Sequence, residues 1–212
     1  MTAVAERQIA RASGRVLMLL AASIVLELVA QALPPHYSPI GDTESALAVG
    51  PYGWIEAVSF CLRGGLVFLL LHTARRAISP AYGSRVGDAL LACVAASKFV
   101  IAFVPTDLTP RPETIHGTIH AVVAFASFFA AAIGEVLIAK RLLPVAWMPA
   151  RLLLRLARFT VVWSVVITIG AGMGLSFWGL LERIETVLLL GWIALFAAAL
   201  RHHALGLVWR WG

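Results

Sequence analysis

Residues 115–139 read IHGTIHAVVAFASFFAAAIGEVLIA, an apolar run in which Glu135 and two histidines are the titratable residues. A transmembrane α-helix needs about 20 predominantly apolar residues, each adding about 1.5 Å to its length. A strand of a membrane barrel would instead alternate strictly between apolar and polar residues, and this run does not. The run therefore predicts a helix that crosses a membrane.

The chain carries six such runs. The predicted helices cover residues 16–33, 48–71, 86–104, 115–139, 159–180 and 184–200, within one transmembrane domain that takes in residues 1–212. Of the 212 residues, 60% are hydrophobic and 13% are charged, whereas a soluble domain carries about a quarter charged residues. The composition excludes a soluble enzyme, a disordered chain and a disulfide scaffold. The predicted fold class is all-α, a polytopic membrane protein built as a bundle of six transmembrane helices.

Basic residues predict how this bundle is oriented. Most of the 17 lysine and arginine residues lie before the first helix, between helices two and three, between helices four and five, or after the sixth. Positively charged loops stay on the cytoplasmic side of a membrane. We therefore expect both termini in the cytoplasm (N-in/C-in) and the chain in the cytoplasmic (inner) membrane of a bacterium. Because the net charge of +6 is concentrated in these loops, it indicates no nucleic-acid partner.

The first 32 residues also have features of a secretory signal peptide. They combine a basic start and an apolar run with Ala30-Gln31-Ala32, a small-x-small cleavage pattern. The apolar run is long for a signal peptide, and Glu27 interrupts it. These two properties favour a membrane helix that is retained.

Ionisable residues at membrane depth indicate where a site lies, because each costs about 2.5–3.5 kcal/mol to insert. Most of those in this chain fall in the outer half of the predicted bundle or in its outer loops, where we expect an outward-facing polar pocket. Its candidate residues are Asp42, Glu56, Arg63, Lys98, Asp107, His116 and His120. Arg63 lies near mid-membrane and needs a carboxylate partner, either Glu56 or Glu27. Glu27 with Lys98 is a further candidate pair, and Glu135 is expected to pair with cytoplasmic arginines.

The pattern His116-Gly-Thr-Ile-His120 offers two interpretations. Histidines four residues apart lie on one face of a helix, a spacing that suits two ligands of one metal ion. With Asp107 as third ligand, or with Asp42 or Glu56 in its place, they would hold zinc or another divalent metal. The alternative is that the two histidines form hydrogen bonds or contact lipid headgroups.

Small residues predict close helix contacts. Gly170 and Gly174 are four residues apart in the fifth predicted helix, a spacing that lets helices approach closely. Gly64-Gly65 in the second helix, and Ala131 with Gly134 in the fourth, form similar faces. We expect membrane lipids as partners, and other membrane subunits could bind through these faces.

Several of these motifs together resemble a known family. They are Tyr37-Ser38, the segment from Asp42 to Gly53, Val104-Pro105-Thr106-Asp107, and Thr114 to His120. The sequence resembles the DUF998 family of bacterial and archaeal six-helix integral membrane proteins, which place a proline-Asp turn after helix 3 and a Gly-x-x-His element at the start of helix 4. Gly117 to His120 fits that element, and His116 is additional. The resemblance implies a six-helix fold and a site facing away from the cytoplasm, and it brings no settled activity.

Three classes of function stay open at this point. Small size and glycine-rich helix faces favour a non-catalytic accessory subunit or a lipid-binding module. The first alternative is a membrane-embedded metal-dependent hydrolase that acts on a lipid, in which the bound ion would activate a water molecule. The second alternative is a small proton-coupled transporter that uses Glu27, Glu56, Arg63 and Lys98 as a relay. Whether the chain is an enzyme is thus left undecided by the sequence.

Overall fold

A computed structural model describes residues 2–108 and 113–207 of the chain. Across these residues the secondary structure consists of helices and contains no strand, which confirms the all-α fold class. The long helices are α1 (Ala3–Ala32), α2 (Gly53–Ala77), α3 (Arg85–Phe103), α4 (Ile115–Leu142), α5 (Ala150–Met173) and α6 (Trp178–Ala204). Each of these six is long and apolar enough to cross a membrane. The chain is therefore a multi-pass membrane protein.

The helices pack in a closed ring. Each long helix contacts the next one along the chain, and α6 returns to contact α1. Because each of them is long enough to cross the membrane once, consecutive helices run in opposite directions. The apolar core takes residues from all six helices and includes Leu66, Leu70, Trp192 and Phe196, all with less than 2% of their surface exposed. The helices α2 and α6 are the most deeply buried of the six.

The two ends of the bundle differ in charge. The basic end carries the start of α1, the end of α6 and the connections over residues 78–84 and 143–149. The far end carries the connections over residues 33–52 and 174–177, and the described residues 104–108 and 113–114 between α3 and α4. Twelve arginine and lysine residues belong to the basic end: Arg7, Arg11, Arg15, Arg75, Arg76, Arg85, Lys140, Arg141, Arg151, Arg155, Arg158 and Arg201. Arg111 and Arg210 lie outside the described residues.

The first helix is longer than its apolar run. It begins at Ala3, and the hydroxyl of Thr2 caps it by accepting a hydrogen bond of 3.3 Å from the Ala5 amide. The polar first turns of α1 therefore extend the helix beyond the segment that hydropathy alone selects. A short 3-10 helix at Ser45–Ala48 precedes α2, which delays the start of α2 to Gly53.

The boundary between α5 and α6 also differs from the predicted one, which placed the end of helix five at residue 180 and the start of helix six at residue 184. Gly174 takes up the left-handed conformation, with φ 64°, and ends α5. Its amide donates to the Ala171 carbonyl at 3.1 Å and the Leu175 amide donates to the Gly170 carbonyl at 3.3 Å, the pairing of a Schellman motif. Gly170 and Gly174 are therefore not two positions of one helix. The chain re-enters the bundle at Trp178, which places residues 178–183 inside α6.

Two of the other predicted small residues, Gly64 and Gly134, contact neighbouring helices of the chain, whereas a Cβ on Gly65 would meet nothing within 4 Å. A Cβ on Gly64 would approach the carbonyl oxygen of Ala95 in α3 to 2.7 Å. A Cβ on Gly134 would approach the carbonyl oxygen of Gly87 to 3.2 Å, so α3 and α4 are in close backbone contact. These glycines thus join neighbouring helices of the same bundle.

Candidate functional site

Arg63 on α2 is buried in the bundle and bonded to two carboxylates. Its side chain is 4% exposed; Nη1 donates to Oε2 of Glu44 at 3.0 Å, and Nη2 donates to Glu27 on α1. A guanidinium at this depth requires such partners, because removing it from water costs several kcal/mol. Of the two predicted partners, the structure selects Glu27. The second carboxylate comes from the 33–52 connection rather than from Glu56.

Glu44 links this connection to α6. Its carboxylate accepts a hydrogen bond of 3.1 Å from the hydroxyl of Thr186, and its backbone amide donates to Oε2 of Glu182 at 2.9 Å. Glu44 is 3% exposed and Glu182 is 8% exposed. The 33–52 connection therefore folds into the bundle instead of covering it from outside.

Glu56 is buried without a hydrogen-bond partner. It lies in the first turn of α2 and is 0% exposed, and neither carboxylate oxygen has a hydrogen-bond partner among the residues that the structure describes. It lies within electrostatic range of Arg63, Glu44 and Glu27. Arg63 already binds Glu27 and Glu44. Glu56 is therefore a third carboxyl near the same arginine.

Lys98 on α3 faces this cluster between two aromatic rings. Its Nζ lies 5.8 Å from the ring centroid of Phe60 and 5.8 Å from that of Phe128. An ammonium at this distance is stabilised by the face of the ring. No ion pair joins Lys98 to Glu27 within the described part of the chain, so the predicted pairing of these two residues is wrong.

Two further carboxyls continue from this cluster towards the middle of the bundle. Glu185 on α6 is 0% exposed and accepts a hydrogen bond of 2.6 Å from the Ser164 hydroxyl on α5. Glu135 on α4 is 1% exposed and lies within electrostatic range of Glu185. The expected pairing of Glu135 with cytoplasmic arginines is not formed in the described ranges. The reason is that Glu135 faces into the bundle.

Together these residues form what we call the acidic core. Its members are Glu27, Glu44, Glu56, Glu135, Glu182 and Glu185, with Arg63 and Lys98 as the cations among them. Arg183 lies at its edge, where Nη1 donates to the Asp42 carbonyl at 2.7 Å and Nη2 donates to the Gln31 side chain at 2.6 Å. The carboxyls outnumber the cations, so the acidic core cannot be neutral when every carboxyl is ionised.

A cavity of about 300 Å³ opens at the far end of the bundle, next to the acidic core. Asp42 and Asp107 line it together with Phe125 and Trp178, whose ring centroids are 5.9 Å apart. Thr43, which directly precedes Glu44, also lines it. Of the predicted pocket residues, two carboxylates thus border this cavity. Glu56, Arg63 and Lys98 belong to the acidic core.

Asp107 fastens the connection between α3 and α4. Its carboxylate accepts hydrogen bonds from the Glu113 amide at 2.7 Å, the Thr114 amide at 2.9 Å and the Thr114 hydroxyl at 2.9 Å. The backbone amides of Thr114 and Glu113 hold the pKa of this carboxyl below its ordinary value, because they bind its ionised form. Pro110 and Pro112, which follow Asp107 in the sequence, lie outside the described residues.

His120 is fully hydrogen-bonded within the protein. Its Nδ1 donates to the Val104 carbonyl at 2.6 Å, and its Nε2 pairs with the Ser45 hydroxyl at 2.8 Å. With Nδ1 as donor in the neutral ring, Nε2 accepts from the hydroxyl. His120 is 2% exposed, whereas His116 is exposed.

These contacts decide how the histidine pattern is interpreted. Both nitrogens of His120 are engaged, and the carboxylate of Asp107 is bound to the residues that open α4. Within residues 2–108 and 113–207 no group of three histidine, cysteine, aspartate or glutamate side chains could hold a metal ion. The described residues therefore do not form the predicted zinc or other divalent-metal site at His116, His120 and Asp107. For His120 the alternative interpretation is correct: its two ring nitrogens form hydrogen bonds within the protein.

Sequence reasoning missed Glu182 and Glu185 as site residues. The predicted sixth helix began at residue 184, so both carboxyls were placed at or outside the membrane boundary. Glu182 and Glu185 are three residues apart and therefore lie on one face of a helix. A prediction that began α6 before residue 182 would have placed both carboxyls within the bundle. That start depends on Gly174, which hydropathy does not detect.

Comparison with known proteins identifies a family. The model of DUF998, described as a protein of unknown function, matches residues 5–199. Neither a curated protein nor a solved structure matches the chain.

Proposed function

The chain belongs to the DUF998 family, and from the geometry of its acidic core we propose that it is a small proton-coupled membrane carrier. This is the second alternative that the sequence left open. In this proposal the carboxyls of the acidic core bind and release protons, and the cavity at the far end binds the molecule that is carried. Buried ionisable residues that face a bundle interior mark ion and proton pathways.

The observation that carries the proposal is the unpartnered carboxyl of Glu56. Both of its oxygens are buried without a hydrogen-bond partner among the described residues. An ionised carboxylate in that position would cost far more than a protonated one, because nothing there replaces its lost hydration. Arg63 already shares its single positive charge between Glu27 and Glu44, so it does not neutralise a third carboxylate. Glu56 is therefore the group best placed to hold a proton and to release it when this pairing rearranges.

The arrangement of the other carboxyls supports a route through the bundle. Lys98 lies within electrostatic range of both Glu182 and Glu185. Glu185 lies within range of Glu135, which is about two turns from the basic end of α4. Titratable side chains thus follow one another from the cavity at the far end into the half of the bundle near the basic end.

The cavity itself favours a small organic cation as the carried molecule. The carboxylates of Asp42 and Asp107 supply negative charge, and Phe125 with Trp178 supplies aromatic faces. Carboxylates and aromatic rings together attract ammonium groups. A cation that enters this cavity would lie next to the acidic core, and its positive charge would oppose the binding of a proton there, which is the basis for coupling them.

The packing of the small residues weakens the accessory-subunit interpretation. Gly64 and Gly134 contact neighbouring helices of the same chain, so these faces are not available to another subunit. The Ser45–His120 pair does not favour a hydrolase either, because both residues are buried and neither lines the cavity. The acidic core is accounted for best by proton binding.

Proton flux in liposomes tests the proposal. The full chain is reconstituted with a pH-sensitive dye inside, and a potassium diffusion potential drives protons inwards. We expect flux above that of empty liposomes, and loss of that flux in Glu56→Gln, which removes the titration at nearly constant size. Glu113→Gln is the matched control, because Glu113 is exposed in the 104–114 connection. A wild-type flux equal to that of empty liposomes, or an unchanged flux in Glu56→Gln, would contradict proton coupling.

The cation is tested separately in the same liposomes. Tetramethylammonium and a small primary amine are added outside, and we expect either to alter the proton flux of the wild type. Asp42→Asn should reduce this response while retaining an oxygen that accepts from the Ser38 amide, as Asp42 does at 2.7 Å. A normal proton flux without any response to either cation would leave the acidic core as proposed and reject the organic cation.

A further inference from the structure

A second cavity lies at the basic end of the bundle, away from the acidic core. Its volume is about 570 Å³, within the usual range of ligand sites. The end of α2, the 78–84 connection, the start of α3, the end of α4 and Phe196 of α6 enclose it. It therefore lies at the level of the helix ends, where the headgroups of a bilayer meet the protein.

Three arginines and one carboxylate give this cavity a positive lining. Arg75 comes from the last turn of α2, Arg85 from the first turn of α3, and Arg141 from the last turn of α4, with Asp88 as the acid. Guanidinium groups bind phosphate oxygens through two parallel hydrogen bonds. Arginines from three helices that border one cavity favour a phosphate group as its occupant.

Two of these arginines are held in place by the protein. Arg141 donates from Nη2 to the Ala81 carbonyl at 2.7 Å and from Nε to the Gly83 carbonyl at 3.3 Å. Arg75 donates from Nε to Asp88 at 2.9 Å. The bond of Arg75 uses Nε and not its terminal nitrogens, so its guanidinium can bind a second acceptor.

The inner wall of the cavity is apolar. Ile138 and Leu142 on α4 form it together with Phe196 on α6. A soluble phosphate compound gains nothing from such a wall, whereas the glycerol and first acyl carbons of a lipid remove it from water. The cavity thus combines a site for an anion with a site for hydrocarbon.

We propose that this cavity binds the headgroup of an anionic phospholipid, with the phosphate between Arg75, Arg85 and Arg141 and the acyl chains along α4. Basic pockets between transmembrane helices are suited to anionic headgroups. The site is separate from the acidic core and does not depend on proton coupling.

Native mass spectrometry of the detergent-purified full chain tests this site. Phosphatidylglycerol and phosphatidylcholine are titrated in turn, and we expect phosphatidylglycerol to bind at least about tenfold more tightly. The triple variant R75Q/R85Q/R141Q should lose this preference. The control is R151Q/R155Q/R158Q, which removes the same charge from exposed positions on α5 at the same end. It should retain the preference.

Other outcomes would overturn the proposal. Equal loss in both triple variants would show general attraction to the basic end. Equal binding of glycerol phosphate and phosphatidylglycerol would show a soluble phosphate ligand. Since Arg75 and Arg141 also support the fold, R85E provides a variant of an exposed residue, with R151E as its control. An R85E protein that binds phosphatidylglycerol as tightly as R151E does would contradict the site even if the triple variant fails to fold.

Discussion

The carboxylate of Asp107 occupies the space beside Gly117 in which any other residue would place its Cβ. Three residues further along α4, His120 donates to the carbonyl of Val104, just before the turn that carries Asp107. The two contacts fasten the start and the middle of the same connection to the first turns of α4. This gives a physical reason for the Gly-x-x-His pattern: the glycine admits the carboxylate, and the histidine binds the end of α3.

The first prediction concerns Gly117→Ala. The new methyl group would overlap the Asp107 carboxylate, which is held by two amides and a hydroxyl and cannot move without breaking those bonds. We expect the free energy of unfolding in detergent to fall by about 1–3 kcal/mol. Gly65→Ala is the control, because a Cβ there meets nothing within 4 Å, and thermal unfolding compares the two. Equal stability of the two variants would refute the overlap.

The second prediction concerns the pH dependence of Asp107. Its pKa in the folded protein lies below the ordinary value, so its stabilising contribution is present above the unfolded pKa and is lost as the pH falls through the lower, folded pKa. The melting temperature of the wild type should therefore exceed that of Asp107→Asn at neutral pH, and the two should converge only below about pH 4. Convergence already between pH 5 and pH 7 would show that the pKa of Asp107 is not lowered.

How much of the fold the sequence predicts depends on the kind of signal. Long apolar runs identify six helices, because burying backbone in a bilayer leaves few alternatives. The proline and aspartate before α4 indicate a turn, and residue types alone predict that Arg63 needs a carboxylate. These inferences depend on composition and on solvation cost, both of which are local properties.

The rest depends on contacts that sequence spacing does not reveal. Glu44 lies in a connection, and only the folding of that connection into the bundle brings its carboxylate to Arg63. Glu182 and Glu185 enter the acidic core because a left-handed Gly174 ends α5 early. The histidine pair is on the predicted helix, yet the ring of His120 is directed to Val104 and Ser45. Side-chain direction at a helix end is set by the neighbouring loop.

The third prediction is a thermodynamic cycle around Arg63. Arg63→Met leaves Glu27 and Glu44 as buried carboxylates without their cation, and we expect it to cost about 3–5 kcal/mol of unfolding free energy. The triple variant R63M/E27Q/E44Q should be more stable than R63M, because no unpaired charge remains. Unfolding in detergent measures the differences.

The corresponding control uses the exposed ion pair of Arg75 with Asp88, whose arginine side chain is 65% exposed. Breaking it by Arg75→Met should cost less than about 1 kcal/mol, since solvent screens that pair. A cost for Arg63→Met as small as the cost for Arg75→Met would show that Arg63 is hydrated, contrary to its buried position.

The fourth prediction contrasts the two histidines. His120→Ala removes a donor to the Val104 carbonyl and a partner of Ser45, and we expect a loss of about 1–3 kcal/mol in unfolding free energy. His116→Ala changes an exposed side chain and should alter it by less than about 0.5 kcal/mol. Thermal unfolding and elemental analysis are measured on both variants. One zinc per chain that either substitution removes would restore the metal interpretation.

The last prediction is the orientation in the membrane, N-in/C-in. It follows from the concentration of arginine and lysine at the basic end, which a membrane retains on its cytoplasmic side. Single cysteines are introduced in a chain whose Cys61 and Cys93 are replaced by alanine, one at Gly41 in the far end and one at Ala81 in the basic end, both outside the long helices. In intact cells a membrane-impermeant maleimide should label residue 41 and leave residue 81 unlabelled until the membrane is opened. Labelling of residue 81 from outside would reverse the orientation. The cavity of Asp42 and Asp107 would then face the cytoplasm, and the proposed carrier would have to take up its cation from that side.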